Sequence, residues 1–473
     1  MDNFINFLAY SLRNGKDKMK EKINIEKFEG KKISILGCGK SGVEAALALL
    51  KCGARVFVSD IAEIKEEYKN ILIENNIKFE EKGHTEKILN SDLIVVSPGV
   101  KPNIRMLQKA RENRIEILSE LEVGYQLTSG KYIAITGTNG KSTVTELTFS
   151  LIKDFDNQVY LAGNIGDPLS MYAFKHGTFV LEVSSFQLNM IKEFKPDMAT
   201  ILNIEQDHMD WHADFEDYVK SKSRIFENQD EKDLLILNYD DPVVRPLKNQ
   251  ASSKVMFVSL GEKVSEGAYF EKESGWVILR EQDRETYLFH ANDLKIKGLH
   301  NVFNAAVSSL LALRHGIPID VIREKLKKFK GLPHRIEFVL EKNGVKFYDD
   351  SKGTNPHAVE WALKGFKEPV ILIMGGEDKD LDFKPLINTV KSHCKHIIAI
   401  GKAKPKVVAT FSPFVPVSEA SDMKEAVEKS FKLAEPGDIV LLSPGCASFD
   451  MFKNYKERGD VFQYWVRKIA EEN

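Results

Sequence analysis

Tyr132-Ile133-Ala134-Ile135-Thr136-Gly137-Thr138-Asn139-Gly140-Lys141-Ser142-Thr143 reads as a buried strand, a glycine turn and the first turn of a helix. Val144, Leu147 and Leu151 continue it at helical spacing. Backbone N–H groups at a helix N-terminus attract phosphate, and Gly137 and Gly140 let the backbone approach an anion with no Cβ in the way. Lys141 can reach β- and γ-phosphates, and Ser142 is placed to ligate Mg²⁺. The general pattern is G-x-x-x-x-G-K-[ST], and Ile135 takes its first glycine position. ATP is therefore the expected ligand of Gly137, Thr138, Asn139, Gly140, Lys141, Ser142 and Thr143.

On the N-terminal side the same grammar recurs. Lys32 to Leu36 reads as a strand, Gly37-Cys38-Gly39-Lys40-Ser41-Gly42 as a turn and Val43 to Leu50 as a helix. The next strands, Arg55 to Ser59 and Asp92 to Val96, run into Asp60 and into Ser97-Pro98-Gly99. A G-x-G-x-x-G turn with an acid one strand later is a dinucleotide fingerprint, yet its geometry suits any diphosphate. Beside an ATP loop, a second nucleotide is a better expectation than hydride chemistry.

On the C-terminal side, strands are predicted at Phe179 to Val183, Ala199 to Asn203 and Leu234 to Asn238. Lys254 to Leu288 reads as a β-rich insert punctuated by Gly261, Gly267 and Gly275. A third unit opens near Gly331-Leu332-Pro333, with strands at Val370 to Met374, His396 to Ile400 and Ile439 to Leu442. Alternating strands and helices predict an α/β protein of three consecutive domains. These are an N-terminal Rossmann-like domain over 1–120, a central P-loop ATPase-like domain over 121–331 and a C-terminal Rossmann-like domain over 332–473.

Composition limits the function classes. The 473 residues are 43% hydrophobic and 29% charged, with a formal net charge of −2, which gives no electrostatic reason to expect a nucleic-acid partner. No apolar run approaches the roughly 20 residues that span a bilayer. Met1 to Leu12 lacks the basic start of a secretory signal, and Phe4, Phe7, Leu8 and Leu12 predict a short amphipathic helix packed on the first domain. Cys38, Cys52, Cys394 and Cys446 are widely spaced, as in a reducing compartment. A cytoplasmic monomer is the expectation.

Two further segments sit where open α/β sheets collect ligands, just past strand C-termini: Glu182-Val183-Ser184-Ser185-Phe186-Gln187 and Asn203-Ile204-Glu205-Gln206-Asp207-His208-Met209-Asp210. Glu182 with Ser142 suits octahedral Mg²⁺. His208 is open between a metal ligand and a hydrogen-bonded loop histidine. Lys222, in the helical stretch Tyr218 to Glu227 with Lys220 and Arg224, reads by spacing as part of a solvated face.

Taken together, several motifs resemble those of the Mur peptide ligases. They are Gly-Thr-Asn-Gly-Lys-Ser-Thr at 137–143, Gly163-Asn164-Ile165-Gly166, Glu182-x-Ser-Ser-Phe-Gln-Leu188 and Asp207-His208-Met209-Asp210. Gly298-Leu299-His300-Asn301-x-x-Asn304, Leu332-Pro333-His334-Arg335 and Asp350-Ser351-Lys352-Gly353-Thr354-Asn355 follow in the family's order. Ser97-Pro98-Gly99 and Leu442-Ser443-Pro444-Gly445-Cys446-Ala447-Ser448 point to the branch that adds D-glutamate.

The resemblance implies a cytoplasmic step of peptidoglycan synthesis. ATP activates UDP-N-acetylmuramoyl-L-alanine as an acyl phosphate, and the D-glutamate amine then displaces phosphate. Gly37, Gly39, Lys40, Ser41, Asp60, Ser97, Pro98 and Gly99 would hold the uridine diphosphate, and Asn164 would touch the substrate. Asn304, Arg335 and Asp350 would lie around the nucleotide. Lys352, Thr354, Lys379, Ser448, Phe449 and Tyr455 would face D-glutamate. Two Mg²⁺ ions are implied, one on Ser142 and Glu182 and one on His208 and an N-carboxylated Lys222, with Lys141 as a further catalytic group. The solvated reading of Lys222 is reversed by this resemblance and not by its spacing. The alternatives are a sibling or folylpolyglutamate-type ligase and a nucleotide-gated sensor, which would need neither Lys222 nor His208.

Overall fold

A computed structural model describes residues 23–207, 211–296, 298–378 and 381–472. They divide into two compact units: one runs to Phe289 and takes in Asn304–Lys325, the other holds His290–Phe303 and the described chain from Leu326. The expected N-terminal helix, His208 and Lys379 lie outside the described residues.

In the first unit, strands β1 (Lys32–Leu36), β2 (Arg55–Ser59), β3 (Lys78–Glu80), β4 (Leu93–Val96) and β5 (Glu116–Ser119) form a parallel sheet in the order β3-β2-β1-β4-β5. The winding reverses between β1 and β4, which opens a ligand crevice at their C-terminal ends. Helix α1 (Lys40–Lys51) buries Val43, Ala46 and Leu49. It starts so close to the preceding turn that a Cβ on Gly42 would lie 1.9 Å from the Gly37 carbonyl oxygen, and only glycine fits there.

The same unit holds a nine-stranded sheet. Its members are β6 (Ser129–Thr136), β7 (Val159–Gly163), β8 (His176–Glu182), β9 (Met198–Ile201), β10 (Leu234–Asn238), β11 (Lys254–Ser259), β12 (Gly267–Glu271), β13 (Trp276–Glu281) and β14 (Arg284–His290). The order is β14-β13-β12-β11-β10-β9-β6-β8-β7. The stretch read as a β-rich insert is thus a continuation of the central sheet, with β11 parallel to β10 and β12 parallel to β11. Its glycines mark close strand contacts and turns, not a separate body: a Cβ on Gly267 would sit 1.8 Å from the Phe257 carbonyl oxygen. Helix α2 (Lys141–Ile152) follows β6, and α3 (Phe215–Ser223) starts at an Asp214 cap that accepts from the Asp217 N–H. The helix expected to run to Glu227 tightens into a 3₁₀ turn over Arg224–Phe226.

The second unit is built on β15 (Glu337–Lys342), β16 (Val345–Asp349), β17 (Val370–Gly375), β18 (Cys394–Ile400), β19 (Val417–Glu419) and β20 (Ile439–Leu442), ordered β15-β16-β20-β17-β18-β19. Apart from the β15–β16 hairpin its strands pair in parallel. Leu372 and Leu441 pack into one core and Ile371 and Val440 into another on the opposite face, which explains the unbroken apolar runs of β17 and β20.

Candidate active site

The turn between β6 and α2 carries the residues expected to hold phosphate. Gly140 caps α2 with φ 83°, a left-handed conformation that glycine adopts without penalty, and a Cβ there would approach Asn304 Oδ1 to 2.9 Å. The end of β9 clamps the loop: Asn203 Oδ1 accepts from the Asn139 N–H at 2.7 Å, and Asn203 Nδ2 donates to the Asn139 carbonyl at 3.1 Å. Thr138 Oγ1 adds contacts at 3.2 Å to the Glu205 carbonyl and the Tyr218 hydroxyl. Lys141 folds back over the loop, its Nζ donating to the carbonyls of Gly137 at 2.8 Å and Thr138 at 2.7 Å. Ser142 and Thr143 are buried at the start of α2.

Two chargeable groups sit buried beside this loop. Glu182, the last residue of β8, is 2% exposed; its Oε1 accepts from Asn164 Nδ2 at 2.7 Å, while Oε2 is buried and has no hydrogen-bond partner among the described residues. A buried carboxylate oxygen left over in this way matches a cation ligand. Lys222, on α3, is also 2% exposed; its Nζ donates to the Gly137 carbonyl at 2.8 Å and lies 4.6 Å from the centroid of the Tyr218 ring. Burial, then the nearby Lys141 charge, holds the Lys222 amine well below the usual lysine range, against the opposing pull of Asp207 and Glu182. The spacing-based expectation of a solvated Lys222 is overturned, because α3 turns this residue into the domain. A neutral amine can be carboxylated, and a carbamate would supply the anion that a cation site needs. With Glu182 Oε2 and Ser142, the residues present fit Mg²⁺ next to a nucleotide.

Around the first sheet, Ser97 Oγ donates to the Gly37 carbonyl at 2.9 Å and so ties the Ser97-Pro98-Gly99 turn to the glycine turn. Asp60, just past β2, accepts from the Cys38 N–H at 2.6 Å and from the Ala62 N–H at 2.8 Å. Gly39 caps α1, and Lys40 and Ser41 form its first turn. Lys40 pairs with Asp167, a residue whose position in the sequence carried no signal of its own.

Within the second unit, Asp350 is buried just beyond β16 and accepts from Ser443 Oγ at 2.7 Å. Burial raises its carboxyl to about 7, although the Ser443 bond and the Arg335 charge both pull downward. Lys352 lies with its Nζ 5.7 Å from the Tyr455 ring centroid. The loops carrying Lys352 and Ser448 are joined by Arg458, which is 1% exposed. Its guanidinium donates to Ser351 Oγ at 2.9 Å, the Ser351 carbonyl at 2.8 Å and the Cys446 carbonyl at 3.0 Å. Sequence reasoning missed Arg458, because an arginine in an amphipathic helix reads as surface. Thr354 is half-buried, Ser448 is buried and Phe449 is 63% exposed.

Three family models match in succession: the MurD N-terminal domain over residues 32–106, the Mur ligase middle domain over 135–312 and the Mur ligase glutamate ligase domain over 334–446. A UDP-N-acetylmuramoylalanine–D-glutamate ligase of Caldanaerobacter subterraneus is 40% identical over 453 residues, 93% of this chain and 98% of that protein. A ligase of the same name from a Thermoanaerobacter species is 41% identical over 455 residues, 93% of this chain and 99% of that protein. In fold, the chain is similar to MurF ligase from Thermotoga maritima in complex with ADP, with a TM-score of 0.59 at 17% identity, covering 95% of this chain and 97% of that one. With the three domains matched in order and close relatives aligned almost end to end, the chain belongs to the Mur ligase family.

Proposed function

We propose that this enzyme joins D-glutamate to UDP-N-acetylmuramoyl-L-alanine, using ATP, in the cytoplasmic assembly of peptidoglycan precursors. The substrates follow the names of its relatives. The observation that carries the chemistry is a buried Glu182 oxygen with no hydrogen-bond partner among the described residues, together with a buried Lys222 amine whose charged form burial disfavours, both beside the glycine turn. No described helix is long and apolar enough to cross a membrane.

The L-alanyl carboxylate of the UDP substrate attacks the γ-phosphorus of ATP, so that ADP leaves and an acyl phosphate forms. Lys141 and the loop N–H groups offset charge on the transferring phosphoryl group, a mainly electrostatic contribution. Ser142 and Glu182 would hold one Mg²⁺, and carboxylated Lys222 with His208 a second; when bound, these ions supply charge neutralisation on the phosphates. Asn164, held by Glu182, would orient the substrate. The D-glutamate amine, once deprotonated, attacks the acyl carbon; phosphate leaves and the amide remains. Lys352, Thr354, Lys379, Ser448, Phe449 and Tyr455 would receive D-glutamate, with Asn304, Arg335 and Asp350 around the nucleotide. The active species would be a monomer.

Phosphate release in the presence of ATP, Mg²⁺ and UDP-N-acetylmuramoyl-L-alanine tests this reading. Release should depend on D-glutamate and fail with L-glutamate, L-lysine or diaminopimelate. Release with a diamino acid alone would reassign the enzyme within the family.

A further inference from the structure

The ammonium of Lys40, at the first position of α1, lies 2.5 Å from Asp167 Oδ1. Asp167 belongs to the turn after β7, next to Asn164, and is fixed there from two sides. Its Oδ2 accepts from the Tyr172 hydroxyl at 3.0 Å, and its carbonyl accepts from the Gly163 N–H at 2.9 Å. The lysine side chain is 50% exposed and the aspartate 34%, so a ligand in the crevice can reach both. Glu44, one turn along α1, adds a further negative charge that acts on Lys40 and on Asp167. Among the described residues, the hydrogen-bonded partner of this ammonium is therefore a carboxylate, held at the first turn of the helix that follows the glycine turn.

We infer that Asp167 sets the affinity for the UDP substrate by occupying Lys40 until the diphosphate displaces it. This rests on the reading that the glycine turn holds a uridine diphosphate. Lys40 exchanges one anion for another on binding, and the net gain is smaller than for an unengaged lysine. The Asp167 carboxylate, once released, keeps the Tyr172 hydroxyl and stays close to the incoming phosphates, where like charge opposes them. Because the pair is partly exposed its strength is modest. The effect is thus a tuning of affinity.

The test is calorimetric binding of UDP-N-acetylmuramoyl-L-alanine to the full chain and to Asp167→Asn, Lys40→Met and the double variant. Asparagine retains an oxygen for Tyr172, so the turn should persist. Asp167→Asn should bind about two- to fivefold tighter, the range that an exposed ion pair spans. Its KM for the UDP substrate should fall in parallel, while KM for ATP stays put. Lys40→Met should bind more weakly, and in that background Asp167→Asn should gain less. Equal or weaker binding by Asp167→Asn overturns the inference, as does an equal gain in both backgrounds, which would mean simple repulsion without exchange. A wild-type chain that binds no UDP-sugar would instead bring down the reading on which the inference stands.

Discussion

Lys222 Nζ and the Gly137 carbonyl oxygen are 2.8 Å apart, inside the domain and beside a second amine, that of Lys141. Two ammonium groups so close to one loop oppose each other, and burial penalises the charge further. The arrangement is relieved if Lys222 is neutral, and becomes attractive to a cation if the neutral amine takes up carbon dioxide.

Lys222→Ala should therefore lower turnover by about 10- to 100-fold or more, the range seen when groups supporting a metal are lost. Added formate or acetate should restore part of it by filling the space of the carbamate. Carbon-13 NMR of enzyme equilibrated with labelled bicarbonate should show one carbamate signal that Lys222→Ala lacks. Full activity in the alanine variant would end the carbamate role.

Glu182 makes the complementary prediction. Its Oε1 is engaged by Asn164 and its Oε2 has no hydrogen-bond partner among the described residues, so a cation would complete it. Glu182→Gln keeps the shape and removes the charge. The Mg²⁺ concentration for half-maximal activity should rise by about 10-fold or more, and EDTA should silence both proteins. An unchanged Mg²⁺ requirement would place the ion elsewhere.

Much of this site was legible because strand–glycine turn–helix segments announce themselves locally. Gly137 to Thr143 and Gly37 to Gly42 are contiguous, and their chemistry follows from backbone geometry. Lys222 was different: its neighbours Lys220 and Arg224 make the helix look solvated, so spacing hid it; the family resemblance singled it out, and the turn of α3 accounts for its burial. Asp167 and Arg458 lie far in sequence from what they touch, and nothing local marks them. The stretch from Lys254 to Leu288 was read correctly as strands but not as part of the central sheet. Its short runs and glycines look alike whether they pair with β10 or with one another.

Asp350 predicts a pH dependence. Its folded carboxyl sits at about 7 because of burial, against about 3.9 in an unfolded chain. The native state therefore binds the proton more tightly, and between about pH 4 and pH 7 it holds more protons than the unfolded state. Stability from this group is present below pH 4 and is lost as pH rises through 7, by at most about 4 kcal/mol for a shift of about three units. Asp350→Asn cannot ionise. Urea unfolding should show the variant gaining on the wild type from pH 4 to 7 and the difference levelling above that. A constant difference across the range would mean that Asp350 is ionised throughout.

Arg458 is expected to act on D-glutamate without touching it. Its guanidinium spans Ser351 on one loop and the Cys446 carbonyl on the other, and the neighbouring Lys352 and Ser448 are the proposed amino-acid contacts. Burial lowers the guanidinium to about 10, so it stays charged at neutral pH. Lysine carries the same charge but cannot reach both loops with a planar fork. Each buried acceptor left unpaired costs about 1–3 kcal/mol, so Arg458→Lys should be clearly less stable while still folding. Its KM for D-glutamate should rise far more than its KM for ATP, because the proposed amino-acid contacts Lys352 and Ser448 sit on the two joined loops, whereas the loop from Gly137 to Thr143 belongs to the other compact unit. Equal rises in both constants would point to general loosening of the unit, and Arg458 would then be a core residue with no bearing on amino-acid choice.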